Sequence, residues 1–236
     1  MKIIAITICV WKRVEITRSC YKNLEDQRSK FNDFGFDFQV YICGSEDVHK
    51  ILANEFGYKY VHSPNTPVGN KWEKALRFSI KDKWDYWMTL GSDDFLLDNS
   101  SEIITGQMMT KECHSGMPKN ILFFENDSGL GFEFKDVKRC GAARWYKRSV
   151  IEETYSKTKN IYPEKSKGLD HWSELSIFNA TGVRPKRFGQ TYVADVKSDV
   201  NINSFRSVLS FSKSKGKPHE LDIADYIPEF KRKIIT

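Results

Sequence analysis

The stretch WDYWMTLGSDDFLLD, residues 84–98, sets two adjacent aspartates between two apolar segments. Residues 84–90 are rich in aromatic and aliphatic side chains, which is typical of a buried strand. Gly91 and Ser92 favour a turn, so we expect the strand to end there. Asp93 and Asp94 would then lie at the carboxyl end of a strand, which is where open α/β sheets bind their ligands.

Strand and helix patterns alternate through the first hundred residues. Predicted strands cover 3–10, 36–43, 58–63 and 84–90. Predicted helices cover 15–31, 46–56 and a segment within 64–81. In the second helix, Ser45 is expected as the N-cap, and Val48, Ile51 and Leu52 are expected to face inward. This β-α-β-α-β-α-β order predicts an α/β fold with a mostly parallel central sheet flanked by helices.

The second half of the chain continues with further strands and helices before its composition changes. We predict strands at 120–127 and 190–198, a strand or loop leading into a helix within 140–157, and a helix over 168–182. From about residue 205 the sequence turns polar and basic. Residues 205–236 are therefore predicted to form a basic C-terminal tail or lid after a single domain that spans residues 1–204.

Charge and cysteine content narrow the classes of ligand and compartment. Lysine and arginine number 37 against 31 acidic residues, a net charge of +6 that favours anionic ligands. The five cysteines form no C-x-x-C pair, so neither a disulfide framework nor a zinc cluster is expected, and a cytoplasmic location is predicted, in a bacterium or a host cell. No apolar run approaches the roughly 20 residues of a membrane span.

Polar residues follow each of the four predicted strands. Trp11-Lys12-Arg13, Ser45-Glu46-Asp47, Gly69-Asn70-Lys71 and Gly91-Ser92-Asp93-Asp94 are the four segments. Adjacent carboxylates at such an edge are suited to Mg²⁺ or Mn²⁺, which prefer oxygen ligands and commonly hold substrate phosphates. The alternative is that Asp93 and Asp94 only cap a turn or a helix.

Four segments in this order resemble the nucleotide-sugar-dependent glycosyltransferases of the GT-A fold, the nucleotide-diphospho-sugar transferase fold, and specifically the inverting family 2. They are ITICVWKRVEITRSCYKNLEDQ (6–27), NTPVGNKWEKAL (65–76), LGSDDFL (90–96) and GLDHWSEL (168–175). The resemblance covers about residues 3–200. It implies a nucleotide-binding half over about 1–98 and an acceptor half over about 99–204.

The resemblance implies a donor site for a nucleotide-diphosphate sugar, most simply a UDP-sugar, with Mn²⁺ or Mg²⁺ as cofactor. It assigns the metal mainly to Asp93, with Asp94 as a second ligand or a structural partner, in a Gly-Ser-Asp-Asp variant of the Asp-x-Asp motif in which Gly91 replaces the first acid. Cys43 replaces the acid that usually contacts uracil, which leaves Glu46 or Asp47 as substitutes. The implied donor-binding residues are Val10, Trp11, Lys12, Glu46, Asp47, Gly69, Lys71, Ser92, Asp93 and Lys197.

An inverting transfer also needs a carboxylate that takes the proton of the acceptor hydroxyl. The resemblance assigns this role to Asp170, and the alternative is a simple helix N-cap. His171 is either a metal or acceptor contact or a half-buried polar residue. Trp145 and Tyr146 either line an acceptor cleft or pack in the core, and Arg144, Lys147 and Arg148 suit an anionic acceptor or a solvated face.

The sequence therefore predicts a glycosyltransferase that moves a sugar to a hydroxyl acceptor, which is a glycan or a modified DNA base. A nucleotidyltransferase on a related fold is a second hypothesis, although CVWKRVEI, after the first strand, lacks the glycine-rich loop expected of one. A non-catalytic module that binds carbohydrate or nucleic acid is a third.

Overall fold

The computed structural model describes residues 1–198, 208 and 221–227. The strands are β1 (Lys2–Val10), β2 (Phe36–Gly44), β3 (Lys59–His62), β4 (Tyr86–Gly91), β5 (Asp94–Leu96), β6 (Ser115–Pro118), β7 (Ile121–Glu125), β8 (Leu130–Phe134), β9 (Arg144–Lys147), β10 (Lys186–Phe188), β11 (Val193–Lys197) and β12 (Leu221–Asp222). The helices are α1 (Val14–Asp33), α2 (Asp47–Glu55), α3 (Val68–Ser79), α4 (Ser100–Met109), α5 (Arg148–Lys157) and α6 (Leu169–Thr181).

A mostly parallel sheet forms the centre of the molecule, in the strand order β10-β6-β9-β4-β1-β2-β3. Strand β1 pairs in parallel with both β2 and β4, while β9 runs antiparallel between β4 and β6. Ile4, Ile6 and Ile8 pack on one face in the same core as α1, and Ala5 packs on the other face with Leu76 of α3. Burial on both faces explains why β1 is a continuous apolar run.

A second sheet, in the order β12-β8-β7-β11-β5, begins directly after the turn that ends β4. Strand β5 runs antiparallel to β11, with Asp94 opposite Asp195 and Leu96 opposite Val193. The side-chain amide of Asn23 on α1 bonds both backbone groups of Leu96, at 3.0 and 2.8 Å. The helix and the second sheet thus fix the position of the residues that follow the turn.

Helix α2 is rotated relative to its predicted orientation. Its N-cap is Glu46 rather than Ser45, and Val48 and Ile51 are 43% and 60% exposed. The buried face instead carries His49, whose Nε2 lies 2.8 Å from the carbonyl oxygen of Lys12. This hydrogen bond to the neighbouring loop sets the rotation, which apolar spacing alone did not reveal.

Of the predicted C-terminal tail, only residues 208 and 221–227 lie within the described part of the chain. Leu221 pairs with Gly131 of β8, and Ile223 and Ile227 are buried in the core. Within the described residues, no helix combines the length and the apolar character that crossing a membrane requires.

Buried Glu73 of α3 connects this helix to the chain segment after α5. Its Oε2 accepts hydrogen bonds from the backbone N–H groups of Ile161 and Tyr162, both at 3.0 Å. Its Oε1 accepts from the hydroxyl of Tyr155 at 2.9 Å and from the guanidinium of Arg77 at 2.8 Å. All four of these partners are donors, so both oxygens are needed as acceptors.

We expect Glu73→Gln to lower the free energy of unfolding by about 2 kcal/mol, because an amide N–H₂ would face donors in a buried site. Urea denaturation measures the change. Glu153→Gln is the matched control: this residue is exposed and pairs with Lys157 at 2.5 Å, so it should change stability by less than about 0.5 kcal/mol. Equal losses in the two variants would contradict the role given to Glu73.

Candidate active site

A cavity of about 840 Å³ opens at the carboxyl ends of β1 and β4, between the two sheets. This volume lies in the range of small-molecule sites. Among the predicted site residues, its wall includes Val10, Trp11, Lys71, Ser92, Asp93, Asp94, Asp170 and Lys197. The structure thus brings residues from both halves of the chain to one cavity.

Three carboxylates meet at one end of this cavity. Asp93, Asp94 and Asp195 each place an oxygen so that all three oxygens lie within 4.8 Å of one another. A Cβ at Gly91 would lie 2.8 Å from Asp93 Oδ1 and 3.0 Å from Asp94 Oδ2. The absence of a side chain at Gly91 therefore leaves the space that these two carboxylates occupy.

The local structure argues against helix capping as the role of this aspartate pair. Asp94 begins β5, and the next helix starts only at Ser100, with Asn99 as its N-cap. The backbone N–H of Gly91 donates a hydrogen bond to Asp94 Oδ2 and closes the turn. Asp94 consequently combines a structural role in the turn with a place in the carboxylate cluster.

Burial makes two of these carboxylates, Asp94 and Asp195, difficult to ionise. It raises the pKa of Asp94 well above its ordinary value, with further contributions from Asp195 and Asp93. Burial also raises the pKa of Asp195 to about 7, although the adjacent Lys197 opposes the shift. A divalent cation relieves such repulsion, and a set of carboxylate oxygens is the donor set that Mg²⁺ and Mn²⁺ prefer. The cluster therefore fits the metal implied by the sequence.

Two cations lie against the carboxylates. Arg13 donates to Asp93 Oδ2 at 2.7 Å and to the hydroxyl of Ser92 at 3.0 Å. Lys197 Nζ lies 2.5 Å from Asp195 Oδ2 and 3.8 Å from Asp93 Oδ2. Burial alone would lower the pKa of Lys197, but Asp195 and Asp93 raise it, so this lysine is a charged member of the site rather than a solvated one.

The loop after β1 is held in an unusual conformation. Lys12 and Arg13 both have left-handed backbone angles, with φ of 53° and 48°, which costs roughly 1–2 kcal/mol for each non-glycine residue. Glu46 Oε2 accepts a hydrogen bond from the Lys12 backbone N–H at 2.7 Å. Together with the bond from His49, this contact fixes the loop and aims Arg13 at β4.

Several predicted donor-binding residues have structural contacts away from the cavity wall. Within the described residues, Lys12, Glu46, Asp47 and Gly69 lie off the wall. Glu46 supports the loop after β1. Gly69 packs so closely on the backbone that a Cβ there would lie 1.9 Å from the carbonyl oxygen of Pro163.

Buried Lys71 ties α3 to the end of β1. Its Nζ donates to the carbonyl oxygen of Val10 at 2.6 Å and to Asn65 Oδ1 at 2.8 Å. Burial lowers the pKa of Lys71. Lys71 therefore supports the floor of the cavity. Its hydrogen bond to the Val10 carbonyl holds the end of β1 in place, directly before Trp11.

Asp170 lies at another wall of the same cavity, in the first turn of α6. The N-cap of that helix is Gly168, so Asp170 is not the cap. Its side chain is 52% exposed. A Cβ at Gly141 would lie 2.4 Å from Asp170 Oδ1, so the absence of a side chain at residue 141 makes room for this carboxylate.

Fully buried Arg144 supports the start of α6 from below. It donates to the carbonyl oxygen of Asp170 at 2.9 Å and to the hydroxyl of Ser173 at 2.7 Å, and its Nη2 lies 4.0 Å from Asp170 Oδ1. The prediction that Arg144 contacts an anionic acceptor is therefore wrong, because this guanidinium has no exposed surface. It positions Asp170 instead.

The aromatic residues proposed for an acceptor cleft are core residues. Trp145 and Tyr146 are both 0% exposed because β9 lies inside the central sheet, so of the two alternatives the structure supports core packing. The aromatic wall of the cavity is formed by Trp11, Trp72, Phe123, Phe134 and Tyr162. His171 is half-buried and stays off the cavity wall described above.

Sequence reasoning missed Asp195 and Arg13 as site residues. Asp195 had a signal, because VADVK places an acid inside an otherwise apolar strand, with Lys197 on the same face two residues later. The signal for Arg13 was weaker, because the direction of its side chain depends on the left-handed conformation of the loop. Asp195 lies outside the four segments that carry the resemblance, whereas Arg13 lies inside the first of them without having been assigned a role.

No protein-family model and no curated protein matches the sequence. Among solved structures, the chain is similar to S. aureus TarS 1-349, with a TM-score of 0.55 and 14% identity over 92% of this chain and 74% of that chain. TarS in complex with UDP matches with a TM-score of 0.53 and 14% identity over 84% of this chain and 61% of that chain. The CMP:2-keto-3-deoxy-manno-octonic acid synthetase complexed with CTP matches with a TM-score of 0.51 and 10% identity over 92% and 100%. The chain has the nucleotide-diphospho-sugar transferase fold, as its sequence predicted.

Proposed function

We propose that the protein is a glycosyltransferase that moves a sugar from a nucleotide-diphosphate sugar to a hydroxyl acceptor with inversion. One observation carries the proposal. A cluster of three carboxylates, two buried and one partly buried, lines a single cavity together with two cations and a separate, exposed carboxylate, Asp170. The first group is suited to a metal diphosphate and the second to a proton transfer.

The donor end of the cavity lies at the carboxyl ends of β1 and β4. Trp11 offers an aromatic face for a nucleobase, and the carboxylates that follow β4 lie where the diphosphate would bind. Similar structures in complex with UDP-GlcNAc, UDP and CTP support a pyrimidine nucleotide as the donor's carrier. We propose a UDP-sugar as the first candidate.

Asp93, Asp94 and Asp195 would hold Mn²⁺ or Mg²⁺. When bound, this ion supplies positive charge for the diphosphate that leaves the sugar. Lys197 adds a charge of the chain's own beside the same carboxylates. Preorganised positive charge of this kind stabilises the negative charge that develops on a leaving group.

The acceptor hydroxyl attacks the anomeric carbon from the face opposite to the leaving diphosphate. Its oxygen forms the new C–O bond, the bond to the diphosphate breaks, and Asp170 takes the proton. The carboxylate of Asp170 is half-exposed, while Arg144 holds its backbone from below. Asp170 can therefore face an incoming acceptor, either a glycan or a modified DNA base, without losing its position.

A nucleotidyltransferase is the second candidate, favoured by the similarity to a synthetase complexed with CTP. The two activities differ in their products. A nucleotidyltransferase releases pyrophosphate from CTP or UTP in the presence of a sugar or a sugar phosphate, whereas a glycosyltransferase releases a nucleoside diphosphate from a nucleotide sugar. A pyrophosphate assay beside the donor panel described next separates them.

We expect the protein to bind at least one sugar nucleotide from a panel of UDP-, GDP- and dTDP-sugars, and to bind it only in the presence of Mn²⁺ or Mg²⁺. Asp93→Asn should weaken that binding by about 10-fold or more, since it removes a charged ligand of the ion. Calorimetric titration measures the affinity. Asp98→Asn is the control, because Asp98 is an exposed partner of Lys30. Binding of no sugar nucleotide by the metal-loaded protein would refute the proposal.

Asp170→Asn should leave sugar-nucleotide binding unchanged and reduce transfer by about 10²-fold or more, because the amide cannot accept the proton. Two rates are measured for each protein: the slow hydrolysis of the donor, and the transfer of the sugar to a hydroxyl acceptor. A loss of donor binding instead of transfer would show that Asp170 belongs to the donor site. A variant with unchanged transfer would show that another group acts as the base.

Gly141→Ala tests the position of Asp170 without removing its carboxylate. The added Cβ has to displace that carboxylate, so transfer should fall by about 10-fold or more while donor binding stays intact. Gly189→Ala is the matched control, because a Cβ at Gly189 meets open space. Equal transfer rates in both variants would contradict the proposed role of Asp170.

A further inference from the structure

One oxygen of Asp93 is contacted by two cations of the chain. Arg13 reaches Asp93 Oδ2 at 2.7 Å, and Lys197 lies 3.8 Å from the same atom. Arg13 also bonds the hydroxyl of Ser92. The carboxylate proposed as a ligand of the divalent ion is thus already paired with a guanidinium.

A guanidinium and a divalent ion compete for such an oxygen. Both bind it directly, and their positive charges repel each other at the short distance that a shared ligand imposes. Metal binding through this oxygen, Asp93 Oδ2, consequently requires Arg13 to move away. The exposed fraction of the Arg13 side chain is 16%, and the residue lines the cavity, so it has space in which to turn.

Lys197 differs from Arg13 in how it is held. Its ammonium lies 2.5 Å from Asp195 on the same strand, β11, and its side chain is 11% exposed. Arg13 instead precedes α1 on the loop after β1, and in the hydrogen bonds described above its side chain bonds Ser92 and Asp93 in the turn after β4. Arg13 is therefore the cation that can move.

The chemistry of the cavity indicates where Arg13 would go. A diphosphate bound to the ion brings several anionic oxygens next to Asp93, and arginine binds phosphates through two parallel N–H groups. We propose that Arg13 occupies Asp93 until the divalent ion binds and then transfers to the diphosphate of the donor. This inference rests on the proposed metal site for its first step and on the proposed donor for its second.

Arg13→Gln separates the two steps because it should move two affinities in opposite directions. Without the competing guanidinium, Mn²⁺ should bind about tenfold more tightly, and without the phosphate contact UDP should bind the Mn²⁺-loaded protein about tenfold more weakly. Electron paramagnetic resonance of free Mn²⁺ measures the first affinity. Calorimetry with UDP measures the second.

Arg18→Gln is the charge-matched control. Arg18 lies in the first turns of α1, close in sequence to Arg13, but it pairs with Glu55 on the outer surface. This substitution should change neither affinity. Arg13→Lys keeps the positive charge but loses the bidentate contact with phosphate. The variant should therefore bind Mn²⁺ like the wild type and UDP more weakly. This second variant preserves the test of the phosphate contact if Arg13→Gln does not fold.

The outcomes distinguish this inference from the proposed function. If Mn²⁺ binds Arg13→Gln no more tightly than the wild type, the competition at Asp93 is wrong. If the variant and the wild type bind UDP equally, the transfer to the diphosphate is wrong while the donor proposal stands. If neither binds UDP but Mn²⁺ binds the variant more tightly, the proposed donor is wrong and the displacement of Arg13 stands.

Discussion

The candidate site depends on the antiparallel pairing of β5 with β11. The chain leaves the central sheet at Gly91, turns through Ser92 and Asp93, and enters the second sheet at Asp94. The register sets Asp94 opposite Asp195. A shift of this register by one residue would turn Asp195 to the other face of the sheet. The cluster of carboxylates therefore exists because two sheets meet at a fixed register.

The energy of this arrangement explains the cations around it. Two unit charges 4.8 Å apart, the largest separation among the three carboxylate oxygens, repel by about 3 kcal/mol at an effective dielectric constant of 20. Burial adds to that cost and raises the pKa values of Asp94 and Asp195. Arg13 and Lys197 offset part of it. Such a cluster is more favourable with a divalent ion than without one, and this is the physical basis for placing the metal here.

The order of strands and helices from β1 to β4 could be predicted from the sequence because each of these elements has a clear apolar pattern. The turn at Gly91 and the position of Asp93 followed from the same patterns. What could not be predicted depends on pairing between distant segments. Strand β5 has three residues, too few for a period, and the partnership of Asp94 with Asp195 joins segments about a hundred residues apart. The burial of Arg144, Trp145 and Tyr146 likewise follows from the central position of β9, which local composition does not encode.

The carboxylates of the cavity differ in burial, and this difference suits them to two kinds of chemistry. Asp93 and Asp94 are almost inaccessible and adjoin like charges, so they bind a cation more readily than they exchange protons with a substrate. Asp170 is half-exposed, and its contacts with Arg144 and the space left by Gly141 fix its position without covering it. A general base needs access and position, whereas a metal ligand needs confinement. The two walls of one cavity meet these opposite requirements, and this is the basis on which we propose group transfer between a bound diphosphate and an incoming hydroxyl rather than binding alone.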